Sequence, residues 1–180
     1  MLDFWQLVRE VLNQEQVFAD ISHIELQYHN TVRNALVWGR QNELVSAIAG
    51  LIHNAIKYSW QRRNGYVAVK LNQMIDEQGK PWLQLKIQNY GVMIAKDEIE
   101  SGDIFRYGYR GRYANDRSRP GSGIGLYHAK QVIENHNGAI SIDSRPAHDY
   151  DPFIPLREVP HITTVTVLLP LYNESRRKIT

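Results

Sequence analysis

The sequence contains no cysteine, which removes disulfides, thiolate metal sites, iron–sulfur ligation and cysteine nucleophiles together. It has no apolar run near the roughly 20 residues needed to cross a bilayer, and its first ten residues lack a basic stretch followed by an apolar block. A cytoplasmic domain is expected, either free or as the soluble portion of a membrane-tethered chain. A one-sided charge is also lacking. The 21 Lys+Arg against 19 Asp+Glu leave +2, too little to drive general nucleic-acid binding through phosphate neutralisation. Stability must come from packing. With 180 residues, 43% of them hydrophobic, one domain over 1–180 is expected, burying roughly 70% of the unfolded surface.

Leu2, Trp5, Val8, Val11 and Leu12 recur at helical spacing and predict a short amphipathic helix over 2–14. Alternation over 21–28 predicts a strand with Ile24, Leu26 and Tyr28 inward, and a second short strand follows at 35–38. The segment 42–59 carries Leu44, Val45, Ala47, Ile48, Leu51, Ile52, Ala55 and Ile56, too many apolar positions for a surface helix, so it reads as mostly buried. Two alternating runs, 66–71 and 82–87, form a hairpin. From 89 to 125 no period survives and seven of the twelve glycines occur, the pattern of a long lid or binding loop. Helical spacing returns over 124–137, closed by Asn137-Gly138. A strand at 139–142, an irregular excursion at 145–160 holding four of the seven prolines, and a β-branched strand at 162–169 complete the chain. The expected fold is α+β, a two-layer sandwich of a mixed sheet with helices on one face.

Three polar constellations stand out. Asn54, Lys57 and Tyr58 share one face of the otherwise apolar 42–59 helix. An amide oxygen there can ligate a hard cation, an ammonium can neutralise phosphate, and a ring can pack on a planar base. Alternatively, Asn54 satisfies neighbouring backbone and Lys57 snorkels to water. The stretch Pro120-Gly-Ser-Gly-Ile-Gly-Leu126 precedes a helix, so its backbone N–H groups and the helix N-terminus suit an anion. Its spacing matches neither the dinucleotide fingerprint nor the Lys-bearing phosphate loop. Arg106, Arg110, Arg112, Arg117 and Arg119 precede it, either as a phosphate-facing lid or as a solvated loop surface. The third, Ile87-Gln-Asn-Tyr-Gly-Val-Met-Ile94, is a strand exit into a glycine turn.

Taken together, these residues resemble the GHKL superfamily, the ATP-binding fold of sensor histidine kinases, gyrase-type ATPases, Hsp90 and MutL. His53-Asn-Ala-Ile-Lys-Tyr-Ser59 looks like the histidine-kinase N box, Asn89-Tyr-Gly-Val-Met-Ile94 like the first glycine box, Phe105 with Tyr109 and Arg110 like the F box, and Gly121-Ser-Gly-Ile-Gly-Leu126 like the second glycine box. Thr163-Thr-Val-Thr-Val-Leu-Leu-Pro170 is similar to the last strand, so the resemblance covers residues 1–171. It implies that Asn54 ligates Mg²⁺, Lys57 contacts phosphate and Tyr58 flanks adenine. By the same resemblance Asn89 reads the base amino group, Gly91 admits the base beside Ile94, and Gly121, Gly123 and Gly125, with Ile124 and Leu126, cradle the phosphates. Arg110 would face the terminal phosphate. The implied function is the catalytic and ATP-binding domain of a two-component sensor histidine kinase. The implied partners are a separate dimerisation and phosphoacceptor domain and a response regulator. A non-catalytic binding module and a stand-alone serine kinase or anti-sigma-like regulator are the alternatives.

Three positions depart from the resemblance. Gly50 stands one turn before Asn54, where the family usually has Asn or Glu. Glu43, roughly 16 Å away along the axis, does not substitute. Asn89 replaces an Asp, offering a neutral acceptor and a donor in place of a charge-assisted acceptor, so weaker or less selective base binding is expected, with donation to guanine O6 open to it. Met93 replaces the second glycine of its box. Ser22-His23 superficially resembles a phosphoacceptor box, but only 31 residues separate His23 from Asn54, too few for the intervening helical hairpin. His23 therefore reads as a polar strand residue. His53 points about 100° around the helix from Asn54, and His128, His136, His148 and His161 show no ligand spacing.

Overall fold

The computed structural model describes residues 1–60, 65–115, 121–147 and 153–172. Strand β1 (Leu2–Asp3) runs into helix α1 (Phe4–Ile21), which Asp3 caps by accepting the Trp5 and Gln6 amides at 3.0 and 3.1 Å. The helix continues well past the expected end at 14. The polar run Asn13-Gln-Glu-Gln16 breaks the apolar count, yet Gln14, Glu15 and Gln16 are good helix formers. Phe18 and Ala19 then return to the buried face. His23 occupies a left-handed turn (φ 57°) after α1, so the reading of it as a strand residue is corrected, and β2 (Ile24–Asn30) starts only beyond it. Ile24 is buried, but Tyr28, expected to face inward, is 54% exposed with its ring 6.3 Å from that of Trp5. The cause is position: β2 is a sheet edge, and burial falls away along its length.

Strand β3 (Leu36–Val37) pairs antiparallel with β1. Helix α2 (Gln41–Tyr58) follows, then the hairpin β4 (Gly65–Ile75) and β5 (Pro81–Gly91). The segment expected to be lid without periodicity contains α3 (Lys96–Glu100), a 3-10 turn at Asp103–Phe105 and α4 (Arg112–Asn115). These are too short for a hydrophobic period to register. Helix α5 (Gly125–Asn135), β6 (Ala139–Pro146), a 3-10 turn at Leu156–Glu158 and β7 (His161–Pro170) complete the chain. Thus β6 extends into the proline-rich stretch, whose residues 148–152, including His148, lie outside the described residues.

One sheet has the order β2-β4-β5-β7-β6, with β2 and β4 parallel and the other pairs antiparallel. Its inner face presents Val67, Val69, Leu71, Leu83, Leu85, Ile87, Val165, Val167 and Leu169 to the helices, while Lys70 and Lys86 face water. Leu44, Ile48, Leu51, Ile52 and Ile56 of α2 are almost wholly buried, each contributing about 1.5–3 kcal/mol. At the end of α5, Asn137 takes the left-handed position (φ 56°). Its N–H donates to Glu134 O and that of Gly138 to Ile133 O, both at 2.9 Å, a Schellman closure. His136 holds the helix layer together: its Nδ1 lies 2.7 Å from Val132 O and its Nε2 accepts the Arg40 amide at 3.0 Å. Among the described residues no helix is long and apolar enough to cross a membrane.

Gly50 lies mid-helix in α2 with nothing within 4 Å of a Cβ placed there. Gly50→Ala is expected to raise stability by about 0.5–1 kcal/mol through lost unfolded-state entropy, read as a higher urea midpoint at unchanged slope.

Candidate functional site

The face of α2 bearing Asn54, Lys57 and Tyr58 opens onto a cavity of about 450 Å³, a volume typical of small-molecule sites. The end of β5 is fastened to the end of α2. Val92 N–H donates to the Tyr58 carbonyl at 3.1 Å and Trp60 N–H to the Tyr90 carbonyl at 3.0 Å, with Ser59 and Gly91 bridged between them. A Cβ at Gly91 would overlap the Tyr58 carbonyl oxygen and stand 2.6 Å from the Asn89 amide nitrogen. This approach therefore admits only glycine. It sets Asn89 in the cavity wall, 5% exposed, beside its cross-strand neighbour Thr163. Thr163 Oγ1 lies 3.2 Å from Ser144 Oγ, which also accepts the Ile94 amide at 3.2 Å. Ile94, Ile104, Ile142, Val165 and Leu126 supply apolar wall.

The second glycine box closes the other side. A Cβ at Gly121 would stand 2.8 Å from Lys57 Nζ, and one at Gly125 would stand 3.0 Å from Asn54 Nδ2. Gly123 has φ +70° and packs on the Gly108 and Tyr109 carbonyls, a conformation and proximity that disfavour any side chain. Because α5 begins at Gly125, its unpaired N–H groups and positive dipole end start at the cavity wall. Ile124 is 37% exposed and is not part of that wall, unlike Gly125 and Leu126.

Of the arginines, only Arg110 lines the cavity among the described residues. Arg106 pairs with Asp103 at 3.0 Å and Arg112 with Asp97 at 2.7 Å. Both are ion pairs on the surface, which for these two arginines agrees with the solvated-surface reading and not with the phosphate-facing one. These hydrogen bonds hold the Asp97 and Asp103 carboxyls below the usual carboxylate range. Arg117 and Arg119 lie outside the described residues. Lys57 and Arg110 leave the described lining with a cationic excess, since its one carboxylate is Glu15. Glu15 Oε2 is 3.0 Å from His53 Nδ1, and the His53 ring stacks on Phe18 at 4.3 Å. His53 is thus occupied on the α1 side of the helix, with its side chain 45% exposed. Such a wall suits a polyanion.

Glu98, missed in the sequence, organises the F-box segment. Only 2% exposed, it accepts the Ala95 amide at 3.1 Å, the Arg112 amide at 2.8 Å and the Tyr109 hydroxyl at 2.7 Å. Donating that proton holds the Tyr109 phenol above the usual tyrosine range. The one available signal was a Glu three residues after a helix start, weak when the cap position is Ala95. Glu98→Ala leaves three donors unmet and is expected to cost about 3 kcal/mol, measured by urea unfolding. A loss under about 1 kcal/mol would mean that water replaces the carboxylate. Among the described residues no group of three or more His, Cys, Asp or Glu side chains is placed to hold a metal.

Residues 39–173 match the family described as histidine kinase-, DNA gyrase B-, and HSP90-like ATPase. The sensor-like histidine kinase SenX3 of Mycobacterium tuberculosis is 32% identical over 145 residues, 81% of this chain but 33% of that protein. The chain therefore spans about a third of the length of this relative. The mycobacterial sensor histidine kinase MprB superposes with a TM-score of 0.73 at 29% identity, covering 94% of this chain and 97% of that one. ShkA, solved full-length in complex with AMPPNP, shares the fold with a TM-score of 0.70 at 16% identity over 96% of this chain and 31% of its own. With the family match spanning most of the sequence and the sandwich superposing over nearly all of it, this chain belongs to the histidine kinase-, DNA gyrase B- and HSP90-like ATPase family.

Proposed function

We propose that the cavity binds ATP with Mg²⁺ and that the chain is the catalytic part of a sensor histidine kinase, passing the γ-phosphoryl group to a histidine on a separate dimerisation and phosphoacceptor domain. A response regulator would take the group from there. One observation carries this reading. Asn54, Lys57, Arg110 and the glycines 121, 123 and 125 gather in the same 450 Å³ cavity as the buried Asn89 and Thr163, so phosphate-type and base-type groups share one space. ShkA, of the same fold, was solved with AMPPNP, which supports the ligand class.

In this reading Tyr58 flanks the base, Gly91 admits it against Ile94, and Asn89 meets its polar edge. Lys57, Arg110 and the backbone N–H groups of Gly121, Gly123, Gly125 and Leu126 hold the phosphates, with Ile124 placing its neighbours. Mg²⁺ keeps several waters and takes few protein oxygens beside substrate phosphates. A wall offering the amide oxygen of Asn54, with its one described carboxylate already bonded to His53, fits that habit. When bound, the ion neutralises charge on the phosphate oxygens. The acceptor imidazole nitrogen bonds to the γ-phosphorus as the bond to the bridging oxygen breaks, and ADP leaves with that electron pair. The protein's part is positioning and charge stabilisation.

Gly50, which leaves the cavity side of α2 without a polar group one turn before Asn54, favours a second reading, a nucleotide- or partner-binding module without catalysis. Calorimetric titration with AMP-PNP, with and without Mg²⁺, tests the first step. Saturable binding strengthened by Mg²⁺ supports the kinase reading and leads to phosphotransfer assays. No heat with AMP-PNP or ADP, from folded protein, favours the docking module.

A further inference from the structure

The polar groups of the base-facing wall can each donate or accept. Asn89 is 5% exposed and lines the cavity, and among the described residues no hydrogen bond holds its amide. A carboxylate in this place would only accept, whereas an amide presents one acceptor oxygen and two N–H donors. The pairing edge of adenine sets a donor, the 6-amino group, beside an acceptor, N1. The edge of guanine sets an acceptor, O6, beside a donor, N1–H. A half-turn of the Asn89 amide about its terminal torsion exchanges Oδ1 and Nδ2, so the same side chain meets either edge with two bonds.

Thr163 has the same property. It stands opposite Asn89 in the β5–β7 ladder, where facing Cβ atoms are about 5 Å apart. Its Oγ1 is 3.2 Å from Ser144 Oγ, and either hydroxyl can be the donor. If Ser144 donates, the Thr163 proton is left for a ligand acceptor such as O6. If Thr163 donates, its lone pairs are left for a ligand amino group. Ser144 keeps its bond from the Ile94 amide in both states. Both groups thus invert their polarity without a change in charge.

We infer that this cavity takes guanine as well as adenine nucleotides, with Asn89 setting the breadth of its base selectivity. The inference rests on the reading of the cavity as a nucleotide site. The test is calorimetric titration of the whole chain with Mg²⁺ and either AMP-PNP or GMP-PNP, for wild type and Asn89→Asp. Wild-type affinities within about tenfold of each other are expected, with the AMP-PNP preference rising at least about tenfold in Asn89→Asp. A wild-type preference for AMP-PNP of roughly a hundredfold or more overturns the inference and leaves the nucleotide site standing. An unchanged ratio in Asn89→Asp overturns the role given to Asn89. If folded wild type binds neither analogue, the nucleotide reading falls and the inference falls with it.

Discussion

Gly91→Ala is expected to lower stability by about 3 kcal/mol or more, the upper part of the range for overpacking substitutions. The added methyl would overlap the Tyr58 carbonyl, a backbone atom that already accepts the Val92 amide. Unlike a side chain, that carbonyl has no other rotamer. Relief requires the end of α2 and the end of β5 to separate, which also strains the Trp60–Tyr90 bond at 3.0 Å. The effect should appear as a lower urea midpoint at unchanged slope. Gly121→Ala is the control: its methyl meets the far ends of two side chains and no backbone, Lys57 Nζ at 2.8 Å and Tyr58 Oη at 3.6 Å, so stability should stay within about 0.5 kcal/mol of wild type. A Gly91→Ala midpoint as close to wild type as that would show that the two chain ends are not locked as described.

Asn54→Ala should remove the gain that Mg²⁺ gives to AMP-PNP binding, a loss of at least about tenfold, while the protein remains folded. Asn54 is half-buried on a helix, and alanine is the better helix former by up to about 0.7 kcal/mol, so misfolding does not mimic the effect. Titration of the variant with and without Mg²⁺ is the measurement. An undiminished Mg²⁺ gain would remove Asn54 from the metal site. Asn54→Asp, which keeps an oxygen ligand, should retain part of the gain.

Much of the fold was legible because its elements are long and periodic. The buried apolar stripe of α2 and the alternation in β4, β5 and β7 announce themselves within single segments. The errors lie where burial is decided by neighbours. Tyr28 alternates correctly with Leu26 but sits toward the far end of an edge strand, where burial has fallen away. Phe18 and Ala19 belong to α1 because the core extends that far. Of the candidate site, the N box and glycine boxes were visible as residue types at fixed spacing. The roles of Arg106, Arg112 and Glu98 were not, because each depends on which partner the chain brings within hydrogen-bond reach.

By itself, then, the sequence determined the layered α+β class, the order of the main elements and the polar groups available to a site. Those properties follow from periodicity and side-chain chemistry, which are local. Only the tertiary structure decided that the Tyr58 carbonyl leaves room for no residue but glycine at 91, and that Glu98 gathers the Tyr109 hydroxyl and the Arg112 amide. It also decided that Asn89 lies buried beside Thr163 with its amide unbound among the described residues. These are distances between segments up to 74 residues apart in the chain, 163 − 89, and such distances are set by how sheet and helices pack, not by any one segment's preferences.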